Sequence, residues 1–102
     1  MLKIISLMKR DPSIPWEDFA RWASTEHPEF GKALPGLRRY VMNVAVADVA
    51  DAPYDVVSEL WFDDEQAFTA AFATDEGKAA GADVAAHVSS RTRLQTTEHE
   101  II

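Results

Sequence analysis

The stretch His27-Pro28-Glu29-Phe30-Gly31-Lys32-Ala33-Leu34-Pro35-Gly36-Leu37-Arg38-Arg39-Tyr40 decides the fold, because the hydrophobic period changes from helical to alternating within it. Upstream, Trp16, Phe19, Ala20, Ala23, His27 and Phe30 recur at spacings of three or four, the apolar stripe of an amphipathic helix. Pro35-Gly36 stops that helix. From Leu37 to Ala47, Tyr40, Met42, Val44 and Val46 alternate with Arg39, Val41, Asn43 and Ala45, which predicts a strand. A Pro-Gly turn therefore folds an imidazole at the end of one element toward a phenol at the head of the next.

Working outward, Pro15 suits a first helical turn, and Glu17 and Asp18 complement its positive end. Pro28 is expected to kink the helix, which otherwise continues to about Leu34. Before it, Ile4, Ile5 and Leu7 predict a strand that Asp11-Pro12-Ser13-Ile14-Pro15 ends. After the loop Asp48–Pro53, Tyr54, Val56, Ser58, Leu60 and Phe62 alternate with Asp55, Val57, Glu59 and Trp61, a strand placed to pair with its predecessor as a hairpin. Asp63 or Asp64 is an N-cap for a helix with Phe68, Ala71 and Phe72 on its apolar face. Thr74-Asp75-Glu76-Gly77 breaks it, an alanine-rich helix follows from Asp75 to His87, and Arg91 to Glu98 predicts a polar edge strand.

The order strand, helix, strand, strand, helix, strand is the ferredoxin-like βαββαβ plan, an α+β fold with an antiparallel sheet and helices on one face. A bare apolar sheet face needs cover. The expectation is a homodimer that pairs two sheets face to face as a dimeric α+β barrel.

The chain's 102 residues, without repeat or linker, read as a single domain over 1–102. A net charge of −7 argues against nucleic acid, whose phosphates call for clustered Lys and Arg. The absence of cysteine excludes disulfides, a thiolate nucleophile and cysteine metal sites. No apolar run approaches the roughly 20 residues of a membrane helix, and Leu2–Met8 is too short for a signal sequence, so the expectation is a cytoplasmic protein with no membrane partner. The three histidines, at 27, 87 and 99, show no close pairing for a metal, and Gly31, Gly36, Gly77 and Gly81 form no phosphate loop. Acid and base chemistry on a small-molecule ligand, with no cofactor and no metal, is what remains.

His27 carries the one side chain whose unperturbed pKa lies near neutrality. On the core-facing stripe it reads either as a core histidine bonded to a backbone carbonyl or as the proton carrier of a pocket between helix and sheet. Tyr40 reads either as an amphipathic sheet residue with an exposed hydroxyl or as a phenol that polarises a ligand oxygen in that pocket. Glu59 and Trp61 share a strand face: Glu59 sits outward at a barrel rim or, if buried, acts as an acid or base or orients His27, and Trp61 packs in the core or forms a ligand platform. His87, near the end of the alanine-rich helix where the dipole favours its charged form, is solvated or a second functional imidazole. His99, between two glutamates, reads as solvated.

Glu26-His27-Pro28, Leu34-Pro35-Gly36-Leu37-Arg38-Arg39-Tyr40, Glu59-Leu60-Trp61-Phe62-Asp63 with Phe68, and Asp75-Glu76-Gly77-Lys78-Ala79 followed by Ala82-Asp83 together resemble the EthD family of the dimeric α+β barrel superfamily. The layout is also similar to that of methylmuconolactone isomerases and fungal polyketide dehydratases and decarboxylases. The resemblance implies a pocket where histidine and tyrosine handle protons without metal or organic cofactor. It supports His27 and Tyr40, adds Asp83 to Glu59 and Trp61 as binding positions, and places His87 where the family often has an aromatic. The function so implied is a cofactor-independent lyase or isomerase acting on a small aromatic, lactone or polyketide-like metabolite. The alternative is an accessory protein that binds a hydrophobic metabolite for a partner oxygenase in a degradation pathway; a haem-degrading or other oxygenase is a third reading.

Overall fold

The computed structural model describes residues 1–102. The chain runs through β1 (Leu2–Arg10), α1 (Trp16–Arg21), a π-helical turn (Trp22–Glu26), α2 (His27–Lys32), β2 (Arg39–Val44), β3 (Val56–Phe62), α3 (Glu65–Ala73), α4 (Asp75–Ala85) and β4 (Val88–Thr96). The strands form one antiparallel sheet in the order β2-β3-β1-β4, the ferredoxin-like arrangement that the element order predicts. No helix is long and apolar enough to cross a membrane.

The element ends differ from expectation for identifiable reasons. β1 runs on to Arg10 and offers Ser90 and Val88 partners across a bulge after Lys9, so β4 begins at Val88 rather than Arg91. β2 leaves the ladder at Val44, although the Ala45 N–H still donates to the Asp55 carbonyl. Asp64, not Asp63, caps α3 by accepting from the Ala67 N–H at 2.8 Å, and Thr74 caps α4 by accepting from the Gly77 N–H at 3.0 Å.

The kink attributed to Pro28 is a full π turn that precedes it. Proline cannot donate to the carbonyl four residues back, and its ring crowds that carbonyl in a regular helix. The chain widens instead, and the His27 N–H donates to the Trp22 carbonyl five residues back. Nearby carbonyls are satisfied by side chains: the Ser24 hydroxyl donates to Ala20 at 2.8 Å and the Thr25 hydroxyl to Arg21 at 2.6 Å. The wider turn also resets the apolar stripe. Phe19, Trp22, Ala23, His27, Gly31 and Leu34 are the buried residues of this segment, whereas Phe30, expected inward, is exposed.

Alternation along the strands separates two faces. Toward the helices, Ile4, Leu60, Phe62, Leu34, Ala71 and Ala80 form one core cluster. Met8, Phe19, Trp22, Ala23, Val56 and Val84 form another. Phe19 and Phe62 have no exposed surface, and residues of this kind cost about 3–5 kcal/mol when truncated to alanine. Between the clusters, where the pattern calls for apolar residues, Ser6 and Ser58 stand opposite each other on β1 and β3.

The other face carries Lys3, Ile5 and Leu7 of β1, Val57, Glu59 and Trp61 of β3, Val41 and Asn43 of β2, and Leu94 of β4, in aligned rows. No helix covers it, and Leu94 is 56% exposed.

Candidate functional site

The helix-to-strand connection delivers His27 and Tyr40 to one cavity. At Pro35-Gly36 the chain reverses, with Gly36 at φ +79°, a region other residues seldom occupy. The returning β2 lays the Tyr40 ring against Gly31 of α2, where a Cβ would overlap the ring edge. Glycine is thus what lets the phenol lie beneath the helix that carries His27.

The cavity lies between helices and sheet. His27 and Tyr40 line it with the hydroxyl-bearing Ser6 and Ser58 on the sheet and Arg91 and Arg93 on β4. Leu34, Leu60, Phe72 and Val84 supply apolar walls. It offers about 30 Å³ to the centres of enclosed waters. A single water takes roughly 10–15 Å³ on that scale, so the space suits a group of a few heavy atoms rather than a whole ring.

His27 is buried, and its Nδ1 lies 2.8 Å from Asp83 Oδ2. The Trp22 indole N–H donates to the same oxygen at 2.9 Å. A carboxylate only accepts hydrogen bonds, so the neutral imidazole carries its proton on Nδ1 and keeps a lone pair on Nε2. Burial pushes the His27 pKa below its ordinary value despite the opposing pull of Asp83, and the charges of His87 and Arg91 add to the lowering. Near neutral pH, His27 is therefore a base with an oriented lone pair.

Tyr40 is set for the complementary role. Burial, reinforced by the Asp83 charge, pushes its phenol pKa up to about 12, so it remains a hydrogen-bond donor at any ordinary pH. A donor and a base in one cavity can act together on a carbonyl and an adjacent C–H.

Asp83 does not line the cavity; it acts one hydrogen bond behind His27. His87, offered by the sequence as a solvated or a second functional imidazole, is also outside it. Its Nδ1 lies 2.7 Å from the Asp83 carbonyl, and its ring stacks on Trp22 with centroids 4.2 Å apart. The bland reading considered for His27, a ring bonded to a backbone carbonyl, describes His87.

Glu59 and Trp61 do not enter this cavity either, because strand alternation turns both to the uncovered face. Glu59 pairs with Lys3 at 2.7 Å and accepts from the Asn43 amide at 3.0 Å. Lys3 and then Asn43 lower the Glu59 pKa, and Glu59 in turn raises that of Lys3. Trp61 lies between two cations, with Lys3 Nζ 4.7 Å and Arg39 Cζ 4.5 Å from its ring centroid. Asp83, not Glu59, orients His27.

Four cavity residues escaped sequence reasoning: Ser6, Ser58, Arg91 and Arg93. The two arginines stand at i and i+2 on a strand, a same-face signal, but the register that sets them opposite Met8 and Ser6 is a long-range fact. Arg93 extends over Phe72 with 4.6 Å from its Cζ to the ring centroid. Burial, then repulsion from Arg91, brings its pKa down to about 10, so it is still a cation near neutrality. No three His, Cys, Asp or Glu side chains converge as a metal site.

The sequence model of the EthD domain matches residues 11–91. An ethyl tert-butyl ether D (EthD) family protein of Bacillus halodurans is 25% identical and superimposes with a TM-score of 0.81, over 97% of this chain and 99% of that one. A dimeric ferredoxin-like protein of unknown function from Thermobifida fusca is 22% identical, with a TM-score of 0.77 over 95% and 90% of the two chains. SnoaB, a cofactor-independent oxygenase from Streptomyces nogalater, shares the fold at 14% identity, with a TM-score of 0.70 over 99% and 95%. No curated protein matches the sequence.

Proposed function

The chain belongs to the EthD domain family, and from that premise we propose that it is a cofactor-independent lyase or isomerase acting on a small lactone, aromatic or polyketide-like metabolite. The observation that carries the reading is the Asp83–His27 hydrogen bond, which leaves Nε2 of a buried, neutral imidazole as the free nitrogen in a cavity shared with Tyr40. His27 Nε2 removes a proton from carbon beside a carbonyl, and the Tyr40 O–H donates to the carbonyl oxygen as it gains charge. The imidazolium then returns the proton to another carbon, giving the isomer, or protonates a departing oxygen, giving elimination.

Asp83 supports each step without touching substrate, since its carboxylate stabilises the imidazolium as it forms. Positioned proton transfer of this kind is worth about 10² to 10⁴ in rate. The working form is a cytoplasmic homodimer in which the uncovered sheet faces pair. The row of half-buried Ile5 and Leu7 and exposed Leu94 favours this, as does the dimeric state named for ferredoxin-like relatives of the fold.

The test is turnover of a panel of unsaturated lactones and enolisable aromatic ketones, followed by mass and by oxygen uptake, with His27→Ala beside the wild type. Loss of about 10²-fold or more in kcat with an intact far-UV spectrum is the expected result. An equally active His27→Ala overturns the assignment. Saturable binding without conversion would make the chain an accessory carrier, and oxygen consumption would make it an oxygenase.

A further inference from the structure

We propose that the sheet floor of the cavity is a carboxylate subsite, in which the hydroxyls of Ser6 and Ser58 and the guanidinium of Arg93 hold a carboxylate borne by the ligand, with Arg91 beside them. The inference deepens the preceding reading and rests on it for the presence of a substrate. It narrows that substrate to a lactone or enolisable compound that also carries a carboxylate.

Three observations converge on the same row of the sheet. Ser6 and Ser58 are 4% and 5% exposed, face each other across the β1–β3 ladder and line the cavity. Neither hydroxyl takes part in the side-chain hydrogen bonds of the chain, and neither is sealed in the core, so both are open to a partner that enters the cavity. They also interrupt the apolar series Ile4-x-Ser6-x-Met8 and Val56-x-Ser58-x-Leu60 at the one level where two core clusters fail to merge. Small apolar residues would fit this level with no polar penalty.

Charge is the second observation. Arg93 is the β4 partner of Ser6 and Arg91 that of Met8, so both guanidiniums spring from the strand that flanks the serines. The chain has 17 acidic residues against 10 basic ones. Lys3, Lys9, Arg10, Arg21, Lys32 and Arg38 each reach a carboxylate. Arg91 and Arg93 reach none, and Arg93 is instead held over the Phe68 and Phe72 rings at the cavity wall. Arg39 and Lys78 also lack a carboxylate, but of the four such cations only Arg91 and Arg93 line the cavity, beside two hydroxyl donors, which together match the needs of an anion with several acceptor oxygens.

Size is the third. The cavity holds roughly two waters, close to the bulk of the three heavy atoms of a carboxylate and too small for a ring. The carboxylate would occupy the floor and the body of the ligand the mouth.

The test is calorimetric titration of the purified full chain with benzoate and with benzamide, its neutral counterpart of equal shape, and with inorganic phosphate. Benzoate is expected to saturate with a Kd on the order of 1–10 mM, and benzamide and phosphate to bind at least about tenfold more weakly. Arg93→Gln and the double variant Ser6→Ala/Ser58→Ala should each weaken benzoate about tenfold or more, with unchanged thermal unfolding. Benzamide binding as well as benzoate, phosphate binding as tightly, an undiminished Arg93→Gln or no saturation would each overturn the subsite. Should the variants not fold, the wild type decides: its Arg93 Nε–Hε resonance must move with benzoate and not with benzamide. A wild type that binds benzoate and not benzamide yet turns over no substrate would leave the subsite standing and the catalytic reading fallen, so the two failures are told apart.

Discussion

The two faces of the one sheet treat polar groups in opposite ways. On the uncovered face the central carboxylate is matched, Glu59 having Lys3 and Asn43, and Lys3 and Arg39 flank the Trp61 ring. On the helix-covered face Ser6 and Ser58 make no side-chain hydrogen bond, and Arg91 and Arg93, which line the cavity from the exposed strand β4, have no counter-ion. β3 supplies both faces from consecutive residues, with Ser58 turned inward and Glu59 outward. Matched polar groups settle the architecture of a surface, whereas the unmatched ones that line the cavity are those the proposed ligand would meet.

The strongest way to break this contrast is to change one carboxylate on each side. Asp83→Asn leaves an acceptor for Trp22 but removes the charge that holds the His27 tautomer and stabilises its protonated form. It should lower kcat/KM by about 10². Glu59→Gln should leave kcat/KM unchanged, because Glu59 pairs with Lys3 on the face away from the cavity. Steady-state rates on a turned-over substrate check both, and an equal loss in the two variants would erase the distinction between the faces.

A smaller effect sharpens the role of the uncovered face. Leu94→Asp places a charge in the exposed apolar row and should raise the dimer dissociation constant about tenfold or more while the protomer stays folded. Sedimentation equilibrium reads it, and a wild type that is monomeric at micromolar concentration would remove dimerisation from the account.

The smallest effect is a pH dependence confined to the covered face. The folded-state pKa of His27 lies below 6.5, so between the two values the unfolded chain binds more protons than the folded one. Stability should therefore fall as pH is lowered from 6.5 through the folded pKa, and level off below it. The same depression puts the acid limb of the kcat/KM profile below pH 6.5, and Tyr40, raised to about 12, gives no alkaline limb near neutrality. Chemical denaturation at several pH values and the rate profile check this; both effects should vanish in His27→Ala.

Local signals carried most of the fold. Alternation from Leu37 and from Tyr54 marked the hairpin, Thr74 and Asp64 announced helix starts with their own side chains, and two proline-containing turns bracketed the first helical region. The imidazole and the phenol were legible because their elements are joined by a short turn. What escaped was long-range. The Asp83–His27 bond spans 56 residues, and only the family resemblance drew attention to Asp83. The direction of Glu59 and Trp61 depended on which alternating set met the helices, a choice that period 2 leaves open. Ser6 and Ser58 looked like ordinary strand serines until the register set them opposite each other under a cavity.

The π turn makes the aim of the imidazole a matter of counting. An α-helix advances each residue by about 100° around its axis, so one residue more or less before His27 rotates the ring by that angle. Five residues, not four, separate Trp22 from His27 along the turn that joins their backbones, and both side chains meet at Asp83. Restoring regular winding by removing one residue from Trp22–Glu26 would keep every functional side chain and still swing the base away from its carboxylate. The length of the segment before His27 is thus as consequential for its hydrogen bond to Asp83 as the identity of the residue itself.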